Sequence, residues 1–367
     1  MAAPVPKLFQ PIQVGNTNLQ HRVVLAPMKR ARADERNVLG ELGLEYYKQR
    51  TSTPGTLAIT EGTVIALQAG GNANIPGIWS DEQIAAWKSI TDAVHANGSF
   101  IYLQLWSLGR IAESDVLRKD GGYEVVGASA IPLEGREAPR PLTVAEIKEY
   151  VQFYATAAEN AVLKAGFDGV EIQSAGGLFP DQFLQTVSNT RTDEYGGSLE
   201  NRLRFVLEVT EAVVKAVGAN KVGIRISPYL TAQGMGMPDP IPTFAELVTR
   251  IRDSYPDFAY LHVIEITDLV PAPGGTVTRQ STKFLRDIWG TKPYIACGGY
   301  ERDTAIELVE KEGGLVAFGR YFISNPDLPR RLKENTKLAL SSPKTWVTQS
   351  AEGYIDYPFA TVAKPEV

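Results

Sequence analysis

The chain has 367 residues, a length that suits either two or three domains or one large α/β barrel. Hydrophobic residues make up 44% and charged residues 22%, the balance of an ordinary soluble globular protein with a sizeable core. A net charge of −5 gives no electrostatic reason to expect nucleic acid or an anionic membrane as partner, and the single cysteine, Cys297, excludes an intramolecular disulfide and any multi-cysteine metal site. No apolar run approaches the roughly 20 residues needed to span a bilayer. The first residues, Met-Ala-Ala-Pro-Val-Pro-Lys7, lack the features of a signal or transit peptide, so the cytosol is the expected compartment.

In chain order, Leu8–Gln20 with turn-like Gly15-Asn16 reads as a hairpin ahead of the first strand. Strands are expected at Val23–Met28, Leu57–Ile65, Phe100–Trp106, Gly169–Ala175, Val222–Pro228, Tyr260–Ile266, Tyr294–Gly298 and Leu315–Gly319. Each is followed by a helical pattern, and two helix starts are signposted by capping boxes, Ser80-Asp-Glu-Gln83 and Thr143-Val-Ala-Glu146. After Thr143, Ile147, Val151, Tyr154, Ala158 and Ala165 recur at helical spacing, a face made to pack on strands. Eight strands alternating with helices predict a parallel α/β fold, better closed as a (β/α)8 TIM barrel than left as an open sheet. Residues 1–367 then form one domain, with the hairpin as barrel floor. The long Gly/Pro-punctuated stretch Ser107–Leu142 after the third strand falls at the catalytic mouth as a lid-like loop.

Barrels most often bind a cofactor phosphate at the loops after strands seven and eight. Both loops here suit that use, Cys297-Gly298-Gly299-Tyr300 and Phe318-Gly319-Arg320-Tyr321: glycines admit an anion close to the backbone, and arginine offers a fork matched to phosphate. Glycine pairs also end plain strands, so neither loop decides the matter alone.

Two further runs do more. Gly169-Val-Glu-Ile-Gln-Ser-Ala-Gly-Gly-Leu-Phe-Pro-Asp-Gln-Phe-Leu184 leads into Ser188-Asn-Thr-Arg-Thr-Asp-Glu-Tyr-Gly-Gly-Ser-Leu-Glu-Asn-Arg-Leu-Arg-Phe205. The second run resembles the signature of the Old Yellow Enzyme family, FMN-dependent ene-reductases on a (β/α)8 barrel. The likeness extends from Leu8 to Phe359. It includes Leu25-Ala-Pro-Met28, Glu61-Gly-Thr63, Leu103-Gln-Leu-Trp106, Gly223-Ile-Arg-Ile-Ser-Pro228, Val316-Ala-Phe-Gly-Arg-Tyr321 and Gly353-Tyr-Ile-Asp-Tyr-Pro358. The resemblance implies FMN, bound through Pro27, Met28 and Gly62 along the ring and through Gln104 and Arg225 at its pyrimidine side. It places Gly298, Gly299, Gly319 and Arg320 at the phosphate, and Trp346 near the ring where the family usually has phenylalanine.

The same resemblance marks what is missing. Where the family reads His-Gly-Ala-Asn/His-Gly-Tyr-Leu, this chain reads Gln173-Ser-Ala-Gly176-Gly-Leu178-Phe. Gln173 and Gly176 replace the two donors that hold a substrate carbonyl, and Leu178 replaces the tyrosine that delivers a proton. Gln173 can still donate from its amide, whereas Gly176 and Leu178 offer no side-chain proton. Lys29 stands where the family has Thr or Cys, Asn72 and Val347 stand for pocket tyrosines, and Ser107 follows Leu-Trp where histidine is common. The pocket is therefore expected to be wider and less polar, suited to a bulky hydrophobic metabolite.

Three functions follow from this reading. The preferred one is a redox-neutral epimerase or isomerase acting α to a carbonyl. It resembles the Old Yellow Enzyme-like epimerases of fungal natural-product pathways, such as those making decalin-bearing 2-pyridones of the ilicicolin H type. The alternatives are an ene-reductase using NADPH to reduce FMN and a non-catalytic flavin-binding protein; a Schiff-base aldolase on Lys29 is a remote fourth. Gln173 is the candidate donor to the carbonyl. Lys29 serves as base only if burial lowers its pKa, and His262 only if it faces the mouth rather than the packed barrel. Cys297 reads as a small buried residue sooner than a nucleophile, and three scattered histidines leave no metal site. Substrate, stereochemistry and homo-oligomerisation stay open.

Overall fold

The computed structural model describes residues 4–265 and 281–361. A floor hairpin pairs β1 (Ile12–Val14) antiparallel with β2 (Thr17–Leu19), Val14 opposite Thr17. Its turn needs Gly15: φ is +52°, and a Cβ there would lie 2.0 Å from the carbonyl oxygen of Asn220 below the barrel. The chain then runs β3 (Val23–Leu25), α1 (Glu41–Arg50), β4 (Leu57–Ile59), β5 (Thr63–Val64), α2 (Asp81–Ala96) and β6 (Phe100–Trp106). An excursion follows, with α3 (Ser114–Gly121) and the short parallel pair β7 (Val126–Gly127) and β8 (Arg140–Pro141). The barrel resumes with α4 (Val144–Glu159), β9 (Gly169–Ser174), α5 (Phe179–Leu184), α6 (Leu199–Val217), β10 (Val222–Ile226) and α7 (Ile241–Ser254). It finishes with β11 (Tyr260–Ile264), α8 (Lys283–Trp289), β12 (Tyr294–Cys297), α9 (Arg302–Glu312), β13 (Leu315–Phe318), α10 (Arg320–Ser324) and α11 (Leu328–Glu334).

Strands β3, β4, β6, β9, β10, β11, β12 and β13 pair in parallel in that order, and β13 returns to β3 through Val316–Val23 and Phe318–Leu25. The sheet is closed, and the expected (β/α)8 barrel is what forms. The expected Leu57–Ile65 strand is broken, because the chain leaves β4 at Thr60 and returns as β5 to pair with the upper end of β6. Phe100–Trp106 forms with the expected bounds, and the remaining strands end one to three residues short of expectation, where the chain turns into the mouth loops; Ile266 lies outside the described residues. Both capping boxes form, and Ile147, Tyr154, Ala158 and Ala165 are fully buried. Among the described residues no helix is long and apolar enough to cross a membrane.

Alternation along the strands sets the barrel interior in layers, because residues two apart face the same side. The lowest layer is apolar: Val24, Leu57, Ile59, Tyr102, Tyr260, Ile295 and Leu315, sealed from below by Val14 and Leu19 of the hairpin. Gly169 and Gly223 belong to it, for a Cβ on either would sit 2.3 Å from the ring of Tyr102 or Tyr260. Two residues further along each strand, the inward positions become Gln104, Glu171, Arg225 and His262. Thus the apolar plug ends under a buried polar layer.

Candidate active site

Within the polar layer, Gln104 Nε2 donates to Glu171 Oε1 at 2.7 Å, and Glu171 Oε2 accepts from His262 Nδ1 at 2.8 Å. All three are almost wholly buried. Burial works against His262 carrying charge, but Glu171 outweighs it and holds the imidazole above its ordinary pKa. Burial likewise works against the Glu171 carboxylate and is outweighed by His262, so Glu171 lies below its usual range. Arg225 sits between Gln173 and His262 in register and donates to Cys297 Sγ at 3.6 Å. Burial opposes ionisation of the Cys297 thiol, yet His262 and Arg225 together draw its pKa down.

His262 therefore does not face the mouth. It has no exposed surface and Glu171 engages its ring, so the expectation that it acts as a base is corrected to a structural role in the buried pair. Ser107 is also turned away from the mouth: fully buried, it shares a 2.7 Å hydrogen bond with Tyr154 on α4.

The stretch after β9 forms the loop that leads into α5. Gln173 is 7% exposed, and its Oε1 is buried without a partner among the described residues. Gly176 has φ of +64°, donates its N–H to Ser227 Oγ at 2.8 Å, and faces open space, the nearest atom to a Cβ being Leu230 Cδ2 at 3.7 Å. Leu178 precedes α5 and is buried in the apolar cluster against that helix. Asp181 underlies this loop, accepting from Gly177 N at 2.9 Å and Gln185 Nε2 at 2.9 Å; burial pushes its pKa up to about 6. A carbonyl oxygen at this mouth thus meets no hydroxyl or imidazole from positions 176 or 178.

The polar group at the rim is elsewhere. Lys29 Nζ donates to Asn72 Oδ1 at 2.7 Å, joining two residues singled out separately from the sequence. Asn72 Nδ2 donates in turn to Glu113 Oε1 at 3.1 Å. Lys29 reaches the surface, yet burial of its ammonium lowers its pKa against the opposing pull of Glu113 and Glu61. Val347 is 51% exposed, beside Trp346 on the segment after α11.

The positions expected to hold FMN converge at the ends of β3, β4, β6, β10, β12 and β13. Pro27 is buried, Met28 and Gly62 are partly so, and a Cβ at Gly62 would lie 2.7 Å from the Trp106 ring. Gly319 carries Met28 Sδ 3.1 Å from where its Cβ would be, and Arg320 lies over Trp346 at 5.9 Å. A Cβ at Gly298 would collide with the carbonyl oxygen of Glu265 at 1.9 Å. The backbone N–H groups of Gly299, Gly319 and Arg320 donate to no internal acceptor among the described residues. Buried Arg225 Nε also lacks a partner, a costly state unless a bound group satisfies it. Together these are donors without acceptors in a glycine-lined cleft, which fits a phosphorylated, hydrogen-bonding cofactor such as FMN.

Residues 7–339 match the NADH:flavin oxidoreductase / NADH oxidase family. The chain belongs to the Old Yellow Enzyme family of flavoproteins. A probable inactive dehydrogenase, easA of Claviceps fusiformis, is 46% identical over 96% of this chain and 94% of its own. A chanoclavine-I aldehyde reductase, fgaOx3 of Penicillium roqueforti, is 46% identical over 96% of each chain. The solved Old Yellow Enzyme homologue of Zymomonas mobilis superposes with a TM-score of 0.90 at 36% identity, covering 96% of this chain and 99% of that one. FMN is the cofactor this family implies. Sequence reasoning overlooked Glu171 and Glu113. The first was within reach, since it lies two residues before Gln173 on one strand and must face the same way; the second sits in the excursion, where no periodicity points inward.

Proposed function

We propose that this Old Yellow Enzyme family member catalyses a redox-neutral epimerisation or isomerisation α to the carbonyl of a bulky hydrophobic metabolite. The observation that carries this reading is the exchange of polar groups at the mouth: no protic side chain at Gly176 and Leu178, and instead a rim lysine held by Asn72. FMN, when bound, supplies a flat floor to the pocket and, when reduced, a hydride. The chain's own residues supply the rest. Lys29 removes the proton from the α-carbon, desolvation of its ammonium lowering its pKa toward that of a usable base. Gln173 donates to the carbonyl oxygen as negative charge grows there, and Arg225 biases the floor of the site positive. For inversion the proton returns from water on the other face, and for migration the Lys29 ammonium delivers it to the new carbon, so no electrons are gained or lost. The open space before Gly176 admits substrate bulk that a side chain would exclude.

The test is turnover of a candidate substrate in D2O, with and without NADPH. One deuterium at the inverted carbon with no NADPH consumed supports the reading. Lys29→Met should then slow exchange by about 10²–10⁴-fold, the usual contribution of a placed acid–base group. A second reading, NADPH-dependent reduction of an α,β-unsaturated carbonyl, draws support from the relative named as an aldehyde reductase at 46% identity. Its mark is a product two mass units heavier in ordinary water, with one NADPH oxidised per product; that result overturns the first reading.

A further inference from the structure

Glu113 reaches the rim from the excursion after β6, just ahead of α3. Its backbone N–H donates to Gly71 O at 2.7 Å, while its carboxylate accepts from Asn72 Nδ2 at 3.1 Å. The two loops lie back to back, for a Cβ at Gly71 would be 2.6 Å from Ala112 Cβ. An amide has a donating end and an accepting end, whereas a carboxylate only accepts. Glu113 therefore commits the nitrogen of Asn72 to the excursion and leaves its oxygen for Lys29 Nζ, 2.7 Å away. The second bond of Asn72 Nδ2, to Gly71 O at 2.9 Å, holds the amide the same way round.

We propose that Glu113 is the positioning residue for Lys29, orienting the amine through Asn72 and supplying the carboxylate charge that it faces. Its consequence for catalysis rests on Lys29 being the base proposed above; its consequence for the amine itself does not. The charged groups facing Lys29 are Glu113 from the excursion and Glu61 from the loop between β4 and β5, both favouring the ammonium while burial disfavours it. Glu61 is buried, its Oε2 accepting from Arg30 N at 2.9 Å and Ala31 N at 3.1 Å, away from Lys29's partner Asn72. Of the two, Glu113 is the one that touches Lys29's partner. Removing its charge leaves burial less opposed, so the amine becomes neutral at lower pH.

The experiment reads Lys29 directly in the FMN-loaded full chain. An amine-acylating ester is applied over a pH series, and labelling at residue 29 is followed by peptide mass spectrometry against exposed Lys164 as internal reference. At a pH below the wild-type midpoint, Glu113→Gln is expected to label about three- to tenfold faster, the effect of one charge removed from a partly screened pair. Glu113→Asp, which keeps the charge, should stay within about twofold of wild type. Unchanged labelling in a folded Glu113→Gln protein overturns the proposal, even if Lys29→Met abolishes turnover. A shifted profile with full turnover in Lys29→Met upholds the positioning role and removes only the base.

Discussion

Gly176 combines two facts that bear on any attempt to restore the family's chemistry. Its φ of +64° is a left-handed conformation, which asparagine tolerates better than most residues, and its Cβ would meet nothing closer than 3.7 Å. Leu178 is harder to replace, because it is buried in apolar surroundings and a tyrosine there must lift its hydroxyl to the mouth. The triple change Gln173→His, Gly176→Asn and Leu178→Tyr returns two carbonyl donors and one acid together. NADPH-dependent reduction of cyclohexenone by that variant is expected to exceed the wild-type rate by about 10²–10⁴-fold, followed as loss of NADPH absorbance. Brisk reduction of cyclohexenone by the unmodified protein would defeat the premise, since it would mean the missing groups are not needed.

At the scale of elements, the barrel was legible because its signals are local. Both capping boxes, the Gly15-Asn16 turn and seven of the eight strand centres follow from residue type and spacing alone. The break between β4 and β5 was not, because Thr60 to Gly62 is as compatible with a strand as its neighbours; only pairing with β6 shows where the chain swings out. Ser107 was misplaced, and His262 left open between mouth and packed barrel, for a related reason. A strand's alternation tells which side a residue faces but not how deep it lies, and depth separates a catalytic base from the partner of a buried carboxylate. The loops after β12 and β13, expected to hold a phosphate, sit at strand ends, where depth is given by position, and that expectation carries a test. Arg320 is exposed and rests over Trp346. Arg320→Ala should weaken FMN retention by about 1.5–3 kcal/mol, roughly 10- to 150-fold in Kd, measured by quenching of free FMN fluorescence on titration with apoprotein. Unaltered retention would move the phosphate away from this loop.

Across the whole molecule, two buried groups at opposite ends of the barrel pull acid stability in opposite directions. His21, in the floor, accepts from Val23 N–H on Nδ1 at 3.2 Å and meets Thr56 Oγ1 through Nε2 at 3.0 Å. Burial is the main cause that lowers its pKa to about 4, because the charged imidazolium is disfavoured in a dry site. Between the ordinary histidine value and about pH 4, the unfolded chain binds this proton and the folded one does not, so stability falls as pH falls. Asp181, near the mouth, is the reverse case. Burial raises its pKa to about 6, so from there down to its unfolded value the folded chain binds the extra proton and gains stability as pH falls. Each effect amounts to about 3 kcal/mol at most, so over pH 4 to 6 these two contributions largely cancel. His21→Gln separates them. The glutamine cannot charge, so the floor no longer loses stability in acid while the Asp181 gain is kept. Relative to wild type, the variant should be costly at pH 7, where it loses a fitted imidazole, and should recover by about 2–3 kcal/mol on going to pH 4.5 in urea unfolding. A difference between the two proteins that stays constant from pH 7 to 4.5 would show that His21 is not the floor's acid-sensitive group.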